Sequence, residues 1–161
     1  MLYFAYGSNM DCGQMRQRCP SAQFVAVAEL TNYALKFTRL SKDRDCGVAD
    51  VIPEQGKNAW GVVYDIARMD VDRLDKAEGF RPGRPLSANS YVRKKRRVYR
   101  DGDHDKPIIV WIYLANRQKN PPRPNAEYKK LLVDGAKFWN LPEAYRAELE
   151  QIEVMQSSPV L

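Results

Sequence analysis

The chain has 161 residues, 44% of them hydrophobic and 29% charged, the size and composition of one globular domain, which argues against disorder, low complexity and a two-domain enzyme. A count of 26 Lys+Arg against 20 Asp+Glu gives a formal charge of +6, an excess that favours anionic partners without specifying nucleic acid. One histidine, His104, and three cysteines without C-x-x-C spacing, Cys12, Cys19 and Cys46, argue against a structural zinc or a disulfide scaffold, and the short apolar start, with no later run of ~18 apolar residues, predicts a soluble, reduced, cytoplasmic protein.

Residues 2–5 are a short aromatic-rich run that stops at Gly7 and read as a strand feeding a turn. Asn9 or Asp11, followed by Gln14, then caps the start of a short helix. Residues 24–30 and 34–38 alternate as two strands, and 59–66 continue the pattern with Trp60, Val62, Tyr64 and Ile66 on one face. At 69–78 the period changes. Val71, Leu74 and Glu78 stand at i, i+3 and i+7, one helical stripe, and Gly79 suits the C′ position beyond it. Residues 81–89, with two prolines and a glycine, form a loop.

The basic run 93–97 lies between Tyr91-Val92 and Val98-Tyr99, so it reads as an edge or solvated strand or, functionally, as a nucleic-acid or targeting patch. Asp101, Asp103 and Asp105 mimic a calcium loop, but Lys106 and Ile112 stand where its glycine and closing glutamate belong, so a hairpin turn is expected. Residues 108–114, apolar throughout, predict a strand buried on both faces. After the proline-rich connector 121–124, Tyr128, Leu131, Leu132, Gly135 and Trp139 share one side of a helix beginning at Ala126. Asn140-Leu141-Pro142 breaks it before a second helix to about Ile152. Short strands with a few helices and no repeat or linker predict an α+β domain: a small, mixed, largely antiparallel barrel or curved sheet with helices packed outside.

The motifs of phosphate-loop, dinucleotide, serine-hydrolase and zinc-protease sites are absent. Two features carry chemistry instead. At Tyr6-Gly7-Ser8-Asn9 a strand turns straight into a helix, so unpaired backbone N–H groups gather at one point and suit an anion; an ordinary strand-to-helix turn is the plain alternative. Glu78 extends the apolar Val71/Leu74 stripe and so carries a carboxylate toward the core at the negative end of its helix. Desolvation and the dipole there favour the protonated form and raise its pKa toward the range useful for acid/base work. Its alternative is a frayed last-turn glutamate in water.

The segment Leu2-Tyr3-Phe4-Ala5-Tyr6-Gly7-Ser8-Asn9-Met10 resembles the N-terminal signature of the gamma-glutamylcyclotransferase family. Pro20-Ser21-Ala22, Trp60-Gly61-Val62-Val63, Leu74-Asp75 with Glu78-Gly79, Pro124, Tyr128-Lys129-Lys130, Gly135-Ala136-Lys137 and Leu141-Pro142 recur in the order seen in its stand-alone members, over nearly the whole chain. The resemblance implies release of a γ-glutamyl group as 5-oxoproline without metal or cofactor, with Glu78 as general acid/base. It implies a substrate cradle of Tyr3, Phe4, Ala5, Tyr6, Gly7, Ser8 and Asn9, with Tyr91 and Tyr128 in contact with substrate; for Tyr128, on the Leu131/Leu132/Trp139 stripe, a core tyrosine with a satisfied hydroxyl is the alternative. Tyr91 stands farther beyond the Glu-Gly pair than the family's tyrosine, because residues 80–90 intervene. The arginines of this enlarged loop, Arg81 and Arg84, either recognise a carboxylate on the leaving group or sit in solvent. The expected partner is a small γ-glutamyl compound, with no nucleic acid and no membrane; monomer and homodimer both stay open. Two alternatives remain at this point: a γ-glutamylamine cyclotransferase and a non-catalytic binding module of the same fold.

Overall fold

The computed structural model describes residues 1–157, in which β1 (Leu2–Ala5) leads through a 3-10 turn (Ser8–Met10) into α1 (Cys12–Arg18). Asp11 is the cap of α1, its carboxylate accepting the Gln14 N–H at 2.8 Å, as the residue spacing predicts. A long hairpin follows, β2 (Gln23–Ser41) returning as β3 (Cys46–Asp65). Then come α2 (Arg68–Ala77), the loop with a 3-10 turn at Leu86–Ala88, the hairpin β4 (Tyr91–Arg100) and β5 (Pro107–Ala115), and the helices α3 (Ala126–Phe138) and α4 (Glu143–Glu150). No helix among the described residues is long and apolar enough to cross a membrane.

The strands close into a barrel in the order β1, β3, β2, β4, β5. All neighbours are antiparallel except β1 and β5, whose parallel pairing at Tyr3 and Trp111 completes the ring. The expected α+β class and mixed barrel are therefore present. Phe4, Leu30, Val51, Val62 and Ile112 fill the interior, and Leu74, Leu132 and Leu149 bury the inner stripes of α2, α3 and α4. Each such side chain contributes about 1.5–3 kcal/mol of transfer free energy.

Two expectations are corrected, and the start of one strand carries no sequence signal. The two short strands at 24–30 and 34–38 are one strand, β2, because the register with β3 jumps at Thr31/Tyr33 and the strand bends instead of ending. Asn32 takes φ 60 at the bend, and its side chain accepts the Gly56 N–H. Residues 46–58, unread in the sequence, begin β3; positions 46–51 are all buried, so no alternation marks them. Finally β5 is not buried on both faces, since Ile109 is 53% exposed. The 101–106 segment is the β4–β5 hairpin turn, with Asp101 and Gly102 at positive φ, and no group of metal-ligating side chains occurs among the described residues.

Candidate active site

The end of α2 decides where Glu78 points. Glu78 closes the helix with its N–H on the Leu74 carbonyl, and Gly79 takes φ 66 just beyond. A Cβ at Gly79 would lie 2.8 Å from that of Ser90, so glycine is required both for the backbone turn and for the approach of the returning loop. Because Leu74 is wholly buried on the same stripe, the Glu78 side chain is carried inward and is only 14% exposed.

The strand-to-helix turn meets it there. Asn9 donates from Nδ2 to Glu78 Oε1 and to the Tyr3 hydroxyl, both at 2.9 Å, while its Oδ1 accepts from Gln14 Nε2 at 2.8 Å and Arg18 Nη1 at 2.9 Å. Arg18 also reaches Glu78 Oε1 at 3.3 Å. Gln14 donates to Ser8 Oγ and accepts from Arg44, which lies over the Tyr128 ring at 5.0 Å. The carboxylate is thus aimed by a network in which Asn9 is the hub.

Burial raises the Glu78 pKa, and Arg18, the Asn9 hydrogen bond and Arg44 oppose it without cancelling it. Burial likewise raises Tyr3, Tyr6 and Tyr91, and pushes Tyr128 up to about 12, so these phenols are neutral at physiological pH. Two of them are pinned by the backbone of one residue: the Ala49 N–H donates to Tyr128 Oη at 3.0 Å, and the Ala49 carbonyl accepts from Tyr91 Oη at 2.6 Å. Tyr113 donates to buried Asp75, itself paired with Arg93 at 3.2 Å, which ties α2 to the β4–β5 hairpin.

These groups enclose a recess of about 30 Å³ lined by Tyr3, Tyr6, Gly7, Ser8, Asn9, Ala49, Glu78, Tyr91, Tyr113 and Tyr128. That volume admits about two water-sized groups, enough for a carboxylate or a carbonyl oxygen. Among the described residues, the Gly7, Ser8 and Asn9 N–H groups donate to no other protein group, so they remain available to an anion. Ser8, Glu78, Tyr91 and Tyr128 also line a wider cavity of about 420 Å³, which opens from the recess past the β2–β3 hairpin tip.

The structure therefore brings together Tyr3, Tyr6, Gly7, Ser8, Asn9, Glu78, Tyr91 and Tyr128, including the tyrosine displaced by the enlarged loop. Phe4 and Ala5 do not line the recess: both are buried in the barrel core, Phe4 on the opposite face of β1 from Tyr3. Arg81 and Arg84 lie beside a separate cavity, and Arg84 is spent on Asn89 and the Gly79 carbonyl of its own loop. Within the basic run, Arg93 pairs with Asp75 and lies over Trp111 and Arg96 donates to the Tyr33 hydroxyl, while Lys94, Lys95 and Arg97 are exposed. Sequence reasoning missed Arg18, Arg44, Ala49 and Tyr113. For Arg18 a signal existed, since it stands one helical turn after Gln14 on the same face of α1; the other three come together only through the barrel.

Three comparisons extend the geometry. The AIG2-like family model matches residues 58–149. The chain is 34% identical over 157 residues to the gamma-glutamylcyclotransferase of Mus musculus and 33% identical over 156 residues to that of Homo sapiens, covering 94% of this chain and 78% of each relative. A solved structure named gamma-glutamyl cyclotransferase superposes with a TM-score of 0.87 at 30% identity, over 100% of this chain and 92% of the other.

Proposed function

The chain belongs to the gamma-glutamylcyclotransferase family, and on that premise we propose that it releases 5-oxoproline from γ-glutamyl amino acids or peptides, with Glu78 as the general acid/base. The observation that carries the reading is the aim of the Glu78 carboxylate, held by Asn9 and Arg18 at the mouth of a recess with three free backbone N–H groups.

The reaction needs little from the protein. The substrate's α-amine attacks its own γ-carbonyl carbon, so the new N–C bond closes a five-membered lactam as the amide C–N bond breaks. Glu78 takes the proton that the α-ammonium must lose and returns it to the departing nitrogen; no water is consumed. A carboxylate with a raised pKa suits both halves of that exchange. The Gly7, Ser8 and Asn9 N–H groups supply donors for the α-carboxylate or the developing oxyanion, and the neutral tyrosines add further donors. Because the attack is intramolecular, holding the chain bent accounts for much of the catalysis.

The test is the identity of the nucleophile. γ-Glutamyl-alanine is expected to yield 5-oxoproline and alanine with no solvent oxygen incorporated in labelled water, and its N-acetyl analogue is expected not to turn over. Labelled free glutamate, or turnover of the acetylated compound, would show that water attacks and overturn this reading.

A further inference from the structure

The wider cavity has a charge that the cyclisation itself does not require. Its wall carries Arg18 and Arg44 near Glu78 and, farther out, Arg39, Lys42 and Lys76, against two acidic residues, Glu78 and Asp43. Arg18 is paired with Glu78. Among the described residues none of Arg39, Lys42, Arg44 and Lys76 has a carboxylate within salt-bridge distance, although eight ion pairs form elsewhere on the chain. Arg39 spends Nη1 on the Asn116 carbonyl and keeps its other donors free. Gln118 accepts the Leu40 N–H through Oε1, leaving its amide N–H groups available on the same wall.

Unneutralised cations around a concave surface repel one another and persist where an anion completes them. The recess is too small to hold more than the oxygen-bearing end of a substrate, and Glu78 sits at its junction with the wide cavity, so what departs from the γ-carbonyl leaves through the cationic side. At about 420 Å³ the cavity is in the range of pockets that enclose a ligand larger than a single small side chain. One carboxylate on a departing amino acid engages one or two of these cations, and three stand in the outer wall.

Resting on the reading above, we infer that the preferred substrate carries a multiply anionic leaving group: the amine released from the γ-glutamyl bond belongs to an acidic amino acid or an acidic peptide, held by Arg39, Lys42 and Lys76. These residues are determinants of specificity and take no part in the proton transfers. A cationic γ-glutamyl-amine is disfavoured by the same wall.

The experiment compares γ-glutamyl-glutamate with γ-glutamyl-glutamine, which differ in one charge at nearly constant shape, in the intact protein and in the triple variant Arg39→Gln, Lys42→Gln, Lys76→Gln. The expected result is a kcat/KM at least about tenfold higher for the glutamate compound in the parent, with the ratio falling to within about twofold of unity in the variant. Lys42→Glu alone, at the exposed hairpin tip, is expected to reduce the ratio and keeps the test open if the triple variant folds poorly. A ratio near unity in the parent, or one that survives the substitutions, overturns the inference while leaving cyclisation standing. Absence of 5-oxoproline from both compounds and from γ-glutamyl-alanine overturns the proposed function and this inference together.

Discussion

In the recess the polar side chains are matched to partners: Asn9 uses both donors and its acceptor, Ala49 holds two phenols, and Glu78 accepts from two side chains. In the outer part of the wide cavity Arg39, Lys42 and Lys76 are more exposed and free of ion pairs, Arg39 making one hydrogen bond to the Asn116 carbonyl. The two spaces share Ser8, Glu78, Tyr91 and Tyr128, so they are one continuous site with two regimes. A satisfied network fixes geometry, as bond-making demands; a set of unsatisfied cations fixes only the sign of what approaches. Chemistry and selectivity are therefore separable by mutation.

The largest break is expected at Glu78. Glu78→Gln keeps the shape and loses the base, so kcat should fall by ~10²-fold or more with the circular dichroism spectrum unchanged. Retained activity within a few-fold would remove Glu78 from the mechanism. Its stability effect should run the other way. Because burial raises this carboxyl's pKa, its protonated form is fully favoured below the ordinary carboxylate range, and that advantage is lost as pH rises through the folded-state pKa. Thermal melts should therefore show Glu78→Gln at least as stable as the parent near pH 7.5, with the difference closing at acid pH.

A smaller break should come from outside both spaces. A Cβ at Gly135 would stand 2.7 Å from the Met10 Cβ, so α3 packs on the strand-to-helix turn only because glycine is there. Gly135→Ala is expected to destabilise by about 1–3 kcal/mol, read as a lower Tm, and to reduce kcat/KM by shifting Tyr128 from Ala49. Unchanged stability would mean that α3 yields freely.

The comparison is sharpened by Arg18, which stands at the junction. Its charge lowers the Glu78 pKa, so in Arg18→Met the acid limb of the kcat/KM profile should move to higher pH. The triple variant of the outer cations should leave that limb in place. The smallest effect expected is ionic: raising salt from 0.05 to 0.5 M should lower kcat/KM for γ-glutamyl-glutamate by a few-fold, through screening of exposed cations, and leave kcat unchanged. A fall in kcat would instead place the sensitivity in the recess.

Local pattern was enough wherever one face of an element is buried against neighbours supplied by the fold as a whole. Leu74 and Glu78 on one stripe, Gly79 after them, Asp11 before Gln14, and Gly7 closing an aromatic strand are all legible because helix and strand periods, caps and glycine turns depend on residues within about one turn of one another. The resemblance added the family and so joined Glu78 to the Gly7 turn in one hypothesis. Only the tertiary structure decided the rest. Residues 46–51 are buried on both faces, and Asp50 among them is satisfied by Thr38, Val51, Ala115 and Arg117, so neither alternation nor polarity announced a strand. Phe4 and Ala5 adjoin the cradle in sequence yet belong to the core, because the pleat and barrel closure decide which side chains reach the recess. Glu78 meets Asn9 across 69 positions and Arg18 across 60, and Ala49 meets Tyr128 across 79. Such meetings depend on strand register and closure of the ring, which no local periodicity encodes.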